Sequence, residues 1–296
     1  MKVLIVGWYG TETIGDRAIL LGIFQILGAF PIEEIFLGSL FPFFTERTIY
    51  QDSGLIKNKL PNTKISIVDI RDRDKLKNAV KDSSSVIMGG GPLMGLNELT
   101  YILRAFKYAR IYKKSTGLIG IGLEKANNSQ YLKLIMKILN LSDLIIYRDQ
   151  NSMLYSKDLG IKQENQFVLS DPAILPCEEF LGVSAKEDRI VINFREYDID
   201  SDKFNYMKTI VDYAANYFDE VILYPNHTFV EGGDDRNILS NIVLSVGKSN
   251  VRVIQRPPSF SDVCTLIRAS KACIGMRYHA VLMQTLLNGN NFISYI

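Results

Sequence analysis

Cysteine and histidine are scarce in this sequence. Among 296 residues there are three cysteines, Cys177, Cys264 and Cys273, without a Cys-x-x-Cys pair, and two histidines. Structural zinc sites are built from several Cys and His ligands, so this supply does not support one. A sparse, odd number of cysteines is typical of proteins that stay in a reducing compartment. We therefore expect a cytoplasmic protein without structural disulfides or a structural metal.

An excess of charge of one sign is also absent. Thirty-four Lys and Arg residues stand against thirty-two Asp and Glu residues, which leaves a formal net charge of +2. That balance does not fit a nucleic-acid-binding protein, which needs a concentrated basic surface. Long hydrophobic runs are missing as well. The apolar start at residues 3–6 is cut short by Gly7 and is too short for a signal-peptide core, so it predicts a first buried strand in a soluble protein.

Short apolar runs alternate with longer amphipathic stretches along most of the chain. Such alternation predicts an α/β protein whose parallel sheets are covered on both faces by helices. The predicted strands are residues 2–7, 33–38, 64–69, 84–89, 117–121, 143–147, 166–170, 189–194, 220–224, 251–254, 272–274 and 292–296. The predicted helices include 16–29, 97–114, 129–140, 150–159, 202–218, 236–247, 260–269 and 278–288.

The alternation falters at two prolines, Pro172 and Pro176, and a polar, acidic segment follows. Because 296 residues exceed the usual size of one domain, we expect two domains of about 150 residues each. We predict an N-terminal domain at 1–176, a linker at 177–188 and a C-terminal domain at 189–296. Two Rossmann-like, doubly wound domains would face each other across a cleft at the carboxyl ends of their strands, where ligands of open α/β sheets bind.

The first candidate site lies between the first strand and the first helix. Gly10 and Gly15 let the backbone approach a ligand there, and the start of a helix favours an anion. The glycine spacing differs from the GxGxxG pattern of dinucleotide-binding loops. Asp16 follows directly, and it either only caps the helix or acts in the cleft.

Two further candidates follow strands of the first domain. Gly89, Gly90 and Gly91 form either a tight turn or an open backbone surface for a substrate. The second interpretation is favoured because a turn rarely needs three glycines in line. Arg148 and Asp149 end a buried strand, either as an exposed salt bridge or as part of the cleft.

Charged and polar residues also follow strands of the second domain. Arg195 emerges from its first strand. His227 stands at a strand end before a polar loop, either as a ligand contact or as an ordinary surface histidine. Arg277 and His279 begin a helix, where N–H groups and the helix dipole favour an anion. A guanidinium grips carboxylate or phosphate in a forked geometry, and an imidazole exchanges a proton near neutral pH.

In order and spacing, these segments resemble the polysaccharide pyruvyltransferase family over nearly the whole chain. The family pattern is a glycine-rich loop ending in Gly-Asp, then Gly-Gly-Gly, Arg-Asp, Asp-Pro-Ala, a strand-end Arg and Met-Arg-x-His-Ala. The corresponding segments here are 15–16, 89–91, 148–149, 171–173, Arg195 and 276–280.

The resemblance implies a GT-B-like fold and a transferase of cell-surface polysaccharide synthesis. Its donor would be phosphoenolpyruvate, whose enolpyruvyl-derived group passes to a sugar, usually as a cyclic pyruvate ketal. Phosphoenolpyruvate would be a co-substrate, with no further cofactor and no metal. The acceptor would be a glycan or a lipid-linked saccharide, with peripheral association at the membrane that holds it, and no nucleic acid is expected as a partner.

The resemblance also implies roles for the candidate residues. A donor with a carboxylate and a phosphate needs at least two cationic anchors, and Arg195 and Arg277 suit that demand. His279 would be the general acid, and Asp16 would orient or deprotonate the acceptor from the opposite domain. The remaining predictions place His227 and Tyr278 on the donor side, and Gly10, Gly15, Gly89, Gly90, Gly91 and Arg148 on the acceptor side.

The sequence departs from the family pattern at several places. Thr13 and Arg17 stand where the family usually has Asn and an acidic residue, and a proline is missing after Leu123. These changes lie in the first domain and bear on the acceptor more than on the donor. Family members normally continue past the last strand with a helix that packs back towards the first domain, so we expect this C-terminal brace to be missing here.

Two other hypotheses remain open. A nucleotide-sugar-dependent glycosyltransferase of the same architecture would need an acidic residue for the nucleotide, and Asp234 and Asp235 are the suggestive pair. A degenerate, truncated member of the family would retain sugar or anion binding without activity.

Overall fold

The computed structural model describes residues 1–11, 13–125, 128–196, 198–230 and 232–294. The chain divides into two compact units. The first contains Met1–Gly10 and Ile19–Leu175, and the second contains Thr11–Ala18 and Pro176–Ile296. Each unit is built on its own parallel sheet.

The sheet of the first unit has seven strands. They are β1 (Lys2–Val6), β2 (Glu34–Ser39), β3 (Lys64–Asp69), β4 (Ser85–Leu93), β5 (Ser115–Leu123), β6 (Leu144–Tyr147) and β7 (Gln166–Val168), in the spatial order β3-β2-β1-β4-β5-β6-β7. The helices between them are α1 (Ile14–Leu27), α2 (Pro42–Gln51), α3 (Ser53–Lys59), α4 (Arg73–Asp82), α5 (Leu99–Ile111), α6 (Ser129–Asn140) and α7 (Gln150–Asp158). A 3-10 helix at Pro172–Phe180 contains the change from the first unit to the second.

Apolar side chains on both faces of the strands explain why the first sheet is interior. Leu4 and Ile5 in β1 have no exposed surface, as expected for a parallel sheet with helices on both sides. The helices supply the matching faces: α6 buries Ile135, Ile138 and Leu139, which recur at the three- and four-residue spacing of a helix stripe.

The sheet of the second unit has five strands. They are β8 (Glu187–Asn193), β9 (Glu220–Leu223), β10 (Val251–Val253), β11 (Ser270–Gly275) and β12 (Asn291–Ile293), in the spatial order β10-β9-β8-β11-β12. The helices are α8 (Ser201–Ala214), α9 (Asp235–Val246), α10 (Phe260–Ala269) and α11 (Tyr278–Leu287). The core between α8, α9 and the sheet is filled by fully buried side chains such as Ile192, Phe194 and Leu223.

The predicted doubly wound α/β fold is confirmed in both units. Each sheet begins with a central strand, extends to one side with the next two strands, and returns to the other side for the rest. Several boundaries differ from the sequence expectation, and three of these differences bear on the predicted linker or on the three glycines. β4 continues through the three glycines to Leu93, the 3-10 helix enters the predicted linker as far as Phe180, and β8 already begins at Glu187. Residues 295 and 296 of the last predicted strand lie outside the described residues.

Within the described ranges, no helix is both long enough and apolar enough to span a membrane.

Candidate functional site

Two of the predicted anchors flank the point where the second sheet reverses its strand order. The reversal lies between β8 and β11, and ligands of open α/β sheets bind beside the carboxyl ends of strands at such a point. Arg195 follows β8 and Arg277 follows β11. The two strand ends are linked, because the backbone N–H of Arg195 donates to Sδ of Met276 at 3.3 Å.

Asn193, the last residue of β8, joins three parts of this region. Its side chain is fully buried. Nδ2 donates to the carbonyl of Tyr224 at 3.0 Å, and Oδ1 accepts from the backbone N–H of Arg277 at 3.3 Å. The ends of β8 and β9 and the start of α11 are therefore held in register by one buried amide.

Arg277 is held by a buried carboxylate. Its Nε donates to Oδ2 of Asp235 at 2.8 Å and its Nη2 to Oδ1 at 2.6 Å. The Asp235 side chain has no exposed surface, and that of Arg277 is 17% exposed. This is the forked geometry that a guanidinium makes with a carboxylate. The forked edge expected to grip the donor is thus occupied by Asp235, and Nη1 makes no hydrogen bond to another described residue.

The same carboxylate organises the surrounding backbone. Oδ2 accepts the N–H groups of Asn226 at 3.1 Å and His227 at 3.0 Å, and Oδ1 accepts that of Glu196 at 3.2 Å. Glu196 is the neighbour of Arg195 in sequence. One buried acid therefore joins α11, the loop after β9 and the segment after β8.

His279 lies in the first turn of α11 and contacts the start of α1. Arg277 is the N-cap of α11 and makes no side-chain capping bond. The ring of His279 lies so close to Gly15 that a Cβ atom there would overlap with Nδ1 and Cγ. Tyr278 is half exposed, and its ring meets that of His279 edge-on at 5.0 Å. The general acid predicted from the sequence thus lies at a helix start, beside a glycine of the first loop.

His227 is buried rather than a surface histidine, so that alternative is wrong. It is 6% exposed, and its Nδ1 lies 2.7 Å from Oγ1 of Thr13. The backbone pairing continues alongside, since Ile14 N–H donates to the carbonyl of Asn226 at 2.9 Å. Thr13 is one of the departures from the family pattern, and here it binds a predicted donor-side histidine.

The segment Thr11–Ala18 belongs to the second compact unit, together with His279. Asp16 therefore lies in the same unit as the histidine, whereas the sequence placed it in the opposite domain. The neighbouring departure, Arg17, is buried and donates from Nη1 to the carbonyl of Pro258 at 2.9 Å. The catalytic role of Asp16 stays a prediction.

Gly10 and Gly15 have different surroundings. Gly10 belongs to the first unit and has a φ of +92°. A Cβ atom there would also come within 2.7 Å of the backbone nitrogen of Phe41. Both the backbone conformation and the close approach require glycine at position 10.

The three successive glycines do not form the expected open surface. Gly89, Gly90 and Gly91 are buried within β4. A Cβ atom at Gly89 or Gly90 would overlap with the side chains of Ile23 or Ile19 of α1. The glycines therefore let α1 pack closely on the sheet, and their acceptor role stays a prediction.

Arg148 pairs with the buried Asp171 and, at a longer distance, with its partly exposed neighbour Asp149, whose Oδ2 lies 3.9 Å from Nε. Its Nη1 lies 3.2 Å from Oδ2 of Asp171, with the two side chains 11% and 2% exposed. Oδ1 of Asp171 accepts the N–H of Ala173 at 3.0 Å. Asp149 also caps α7 by accepting the N–H of Ser152 at 2.7 Å. The Arg-Asp and Asp-Pro-Ala motifs thus meet in a structural link within the first unit, and the acceptor role of Arg148 stays a prediction.

Sequence reasoning missed two residues of this site and misassigned a third. Asn193 gave no signal of its own, and Thr13 was visible only as a departure from the family pattern. Asp235 was noticed, but as a nucleotide contact, since an Asp-Asp pair after two glycines is equally typical of a ligand loop and of a helix start. Within the described ranges, no three His, Cys, Asp or Glu side chains are grouped as a metal ion would require.

Comparisons with known proteins show the family and the fold class of this chain. No curated protein matches the sequence. The putative UDP-N-acetylglucosamine 2-epimerase from Listeria monocytogenes has a similar structure, with a TM-score of 0.65 and 12% identity over 94% of this chain and 75% of that chain. The UDP-GlcNAc 2-epimerase from Methanocaldococcus jannaschii is also similar, with a TM-score of 0.63 and 12% identity over 99% of this chain and 89% of that chain. At such identities the likeness shows the fold alone, which is the GT-B-like class expected. The family model for polysaccharide pyruvyl transferase matches residues 14–286, and the chain, a transferase, belongs to that family.

Proposed function

We propose that this protein transfers the pyruvyl group of phosphoenolpyruvate to two hydroxyls of a sugar, forming a cyclic ketal in cell-surface polysaccharide synthesis. One observation carries this proposal. A guanidinium fixed by the buried Asp235 directly precedes the first turn of α11, in which His279 lies. An anion anchor and a proton-transfer group therefore occupy the N-cap and the second residue of the same helix.

The donor is a double anion, and its binding needs more than Arg277. The charge of Arg277 is largely balanced by Asp235 at 2.6 Å, so its net attraction for an anion is weakened. The positive end of α11 and the guanidinium of Arg195 supply the remainder. Arg277 then contributes an oriented hydrogen bond from Nη1 to the donor more than it contributes net positive charge.

The chemistry can be written with all atoms accounted for. His279 delivers a proton to the methylene carbon of phosphoenolpyruvate, which becomes a methyl group, while one sugar hydroxyl bonds to the central carbon. The bond from that carbon to the phosphate oxygen breaks, and phosphate leaves. The second hydroxyl closes the ketal. One hydroxyl proton replaces the proton lost by His279, and the other leaves with phosphate.

Asp16 is proposed to orient or deprotonate the acceptor. It is half-buried in the first turn of α1, in the unit that contains His279. The scheme uses no cofactor or metal. The proposed location is cytoplasmic, and the proposed acceptor is a glycan or lipid-linked saccharide, met by peripheral association with its membrane.

The two acidic residues that suggested a nucleotide-sugar-dependent enzyme, Asp234 and Asp235, are both engaged by protein groups. Asp235 is engaged with Arg277 and has no exposed surface. Asp234 caps α9 and pairs with Arg236. Burial alone would raise the pKa of Asp234, but the hydrogen bonds from Arg236 outweigh it and lower that pKa. Neither carboxylate is presented to a ribose.

The test is phosphate release from phosphoenolpyruvate in the presence of galactose- or mannose-type acceptors. We expect release that depends on the acceptor, with a product whose mass shows an added pyruvyl group. His279→Gln should lower kcat by about 10²–10⁴-fold while phosphoenolpyruvate still binds. Thermal-shift comparison with nucleotide sugars provides the contrast. Folded protein that releases no phosphate across a broad acceptor panel would contradict the proposal.

A further inference from the structure

We propose that Asp235 is the positioning residue of the donor site, and that its buried carboxylate sets the places of Arg195, His227 and Arg277 together. This inference rests on the proposed function and names the residue on which donor binding depends. Asp235 itself does not contact the donor.

The two oxygens of Asp235 are saturated by protein donors. Oδ1 accepts from Nη2 of Arg277 at 2.6 Å and from the N–H of Glu196 at 3.2 Å. Oδ2 accepts from Nε of Arg277 at 2.8 Å and from the N–H groups of Asn226 and His227 at 3.1 and 3.0 Å. With five donors on two oxygens and no exposed surface, the carboxylate has no capacity left for a ligand.

Four of the five donors to Asp235 lead to a predicted anchor. The guanidinium of Arg277 is held directly. The backbone N–H of His227 also donates directly to the Asp235 carboxylate. In the opposite direction, the backbone N–H of Asp235 donates to the carbonyl of His227 at 3.1 Å. Arg195 is held through Glu196, its sequence neighbour. The three segments come from different strand ends, and they meet on this acid.

Only a carboxylate satisfies this set of donors. An asparagine at position 235 has one acceptor oxygen, and its NH₂ group would face an N–H of Arg277 or of the backbone. Burial makes that mismatch costly, because a buried donor without a partner cannot turn to water. The expected response to losing the charge is movement of the loop after β9 and of Arg277.

The neighbouring acid provides a matched control. Asp234 is in the same helix start, but it pairs with Arg236 and caps α9 through the N–H of Arg236 at 3.0 Å. Its side chain is 16% exposed. Asp234→Asn removes the same charge from the same helix without touching Arg277, so it separates a general loss of stability from a loss of positioning.

The experiment measures phosphoenolpyruvate affinity by calorimetry, and KM and kcat by phosphate release, for the wild type, Asp235→Asn and Asp234→Asn. We expect Asp235→Asn to weaken donor affinity by at least about 30-fold, and Asp234→Asn by less than about 3-fold. The loss should appear in the KM for phosphoenolpyruvate, with kcat changed by less than about 3-fold, because His279 is not held by Asp235. Equal affinities in the two variants would overturn the inference.

A second pair of variants keeps the test valid where Asp235→Asn does not fold. Asp235→Asn with Arg277→Gln removes both charges, which buried pairs tolerate better than the loss of one. Compared with Arg277→Gln alone, the double variant should bind the donor at least about 3-fold more weakly, because Arg195 and His227 also lose their anchor. Equal or tighter binding by the double variant would overturn the inference. A wild type that neither binds phosphoenolpyruvate nor releases phosphate would instead refute the proposed function.

Discussion

Gly15 and His279 are in direct contact: the imidazole ring occupies the space that a side chain at position 15 would need. The Cβ of an alanine there would overlap with Nδ1 and Cγ of the ring. Gly15 is the second residue of α1 and His279 the second of α11. The glycine of the Gly-Asp motif therefore has a physical reason, which is the close approach of the predicted general acid.

Replacing Gly15 with alanine should displace His279 and leave the fold intact. The added methyl group pushes the ring away, so proton transfer suffers more than donor binding. We expect Gly15→Ala to lower kcat by about 10²-fold, the usual contribution of a positioned general acid, with little change in the KM for phosphoenolpyruvate. Phosphate release at saturating donor measures this.

Gly54→Ala is the matched control for this prediction. Gly54 is also a helix residue, in α3, and a Cβ atom there has nothing within 4 Å. This substitution should keep full activity and raise stability by roughly 0.5–1 kcal/mol, because alanine favours a helix over glycine. Wild-type activity in Gly15→Ala would show that the contact does not position the ring.

The forked pair of Arg277 and Asp235 predicts that lysine cannot replace this arginine. The lysine ammonium is a point charge that cannot reproduce the forked pair of hydrogen bonds to Asp235. It therefore does not orient a further N–H group towards the substrate as Arg277 does. We expect Arg277→Lys to weaken phosphoenolpyruvate binding by at least about 10-fold in calorimetry. Arg236→Lys is the control, since Arg236 pairs with the neighbouring Asp234. Unchanged affinity in Arg277→Lys would remove Arg277 from the donor site.

The ion pair of Arg148 and Asp171 predicts a loss of stability that spares the donor. Both side chains are buried, so Asp171→Asn removes the nearer carboxylate from the guanidinium, while Asp149 remains at 3.9 Å. The free energy of unfolding in urea titration should fall, but by less than the roughly 3–5 kcal/mol that a buried charge without any partner costs. Phosphoenolpyruvate affinity should stay unchanged at temperatures where the variant is folded. A stable variant with weaker acceptor binding would instead support the acceptor role predicted for Arg148.

Most of the fold could be predicted because its central strands contain continuous apolar runs. Parallel strands covered on both faces show such runs, and β1 and β8 stand out in this way. The limits of β4 could not be predicted in the same way. Its glycines interrupt the apolar run, yet they continue the strand, because α1 packs on them too closely for side chains.

The site was only partly predictable, for a related reason. Arg195, Arg277 and His279 could be named because each follows a strand, which sequence position reveals. Their partners come from elsewhere in the chain. Asp235 and Arg277 are in contact although they are 42 residues apart in the sequence, and Thr13 and His227 are in contact although they are 214 residues apart. Such pairings depend on the tertiary fold, which no local pattern encodes.

Glu34 in β2 provides a prediction about pH. Lys2 in β1 and Lys64 in β3 each lie 2.8 Å from its carboxylate. Hydrogen bonds from Lys2, then from Lys64 and Ser66, lower the pKa of Glu34 from 4.5 to about 2. Because this pKa is depressed in the folded state, the carboxylate stabilises the fold above pH 4.5, and the stabilisation is lost as the pH falls towards 2.

Glu34→Gln should therefore lower the free energy of unfolding at neutral pH. The difference from the wild type should shrink between pH 4.5 and 2 and vanish below, because the wild-type carboxyl is then protonated as well. Urea unfolding across this pH range measures it. Glu33→Gln is the control, since that neighbouring side chain is 75% exposed and an exposed ion pair contributes little. A difference between Glu34→Gln and the wild type that stays constant from neutral pH to below pH 2 would show that packing, and not the charge of Glu34, supports the three strands.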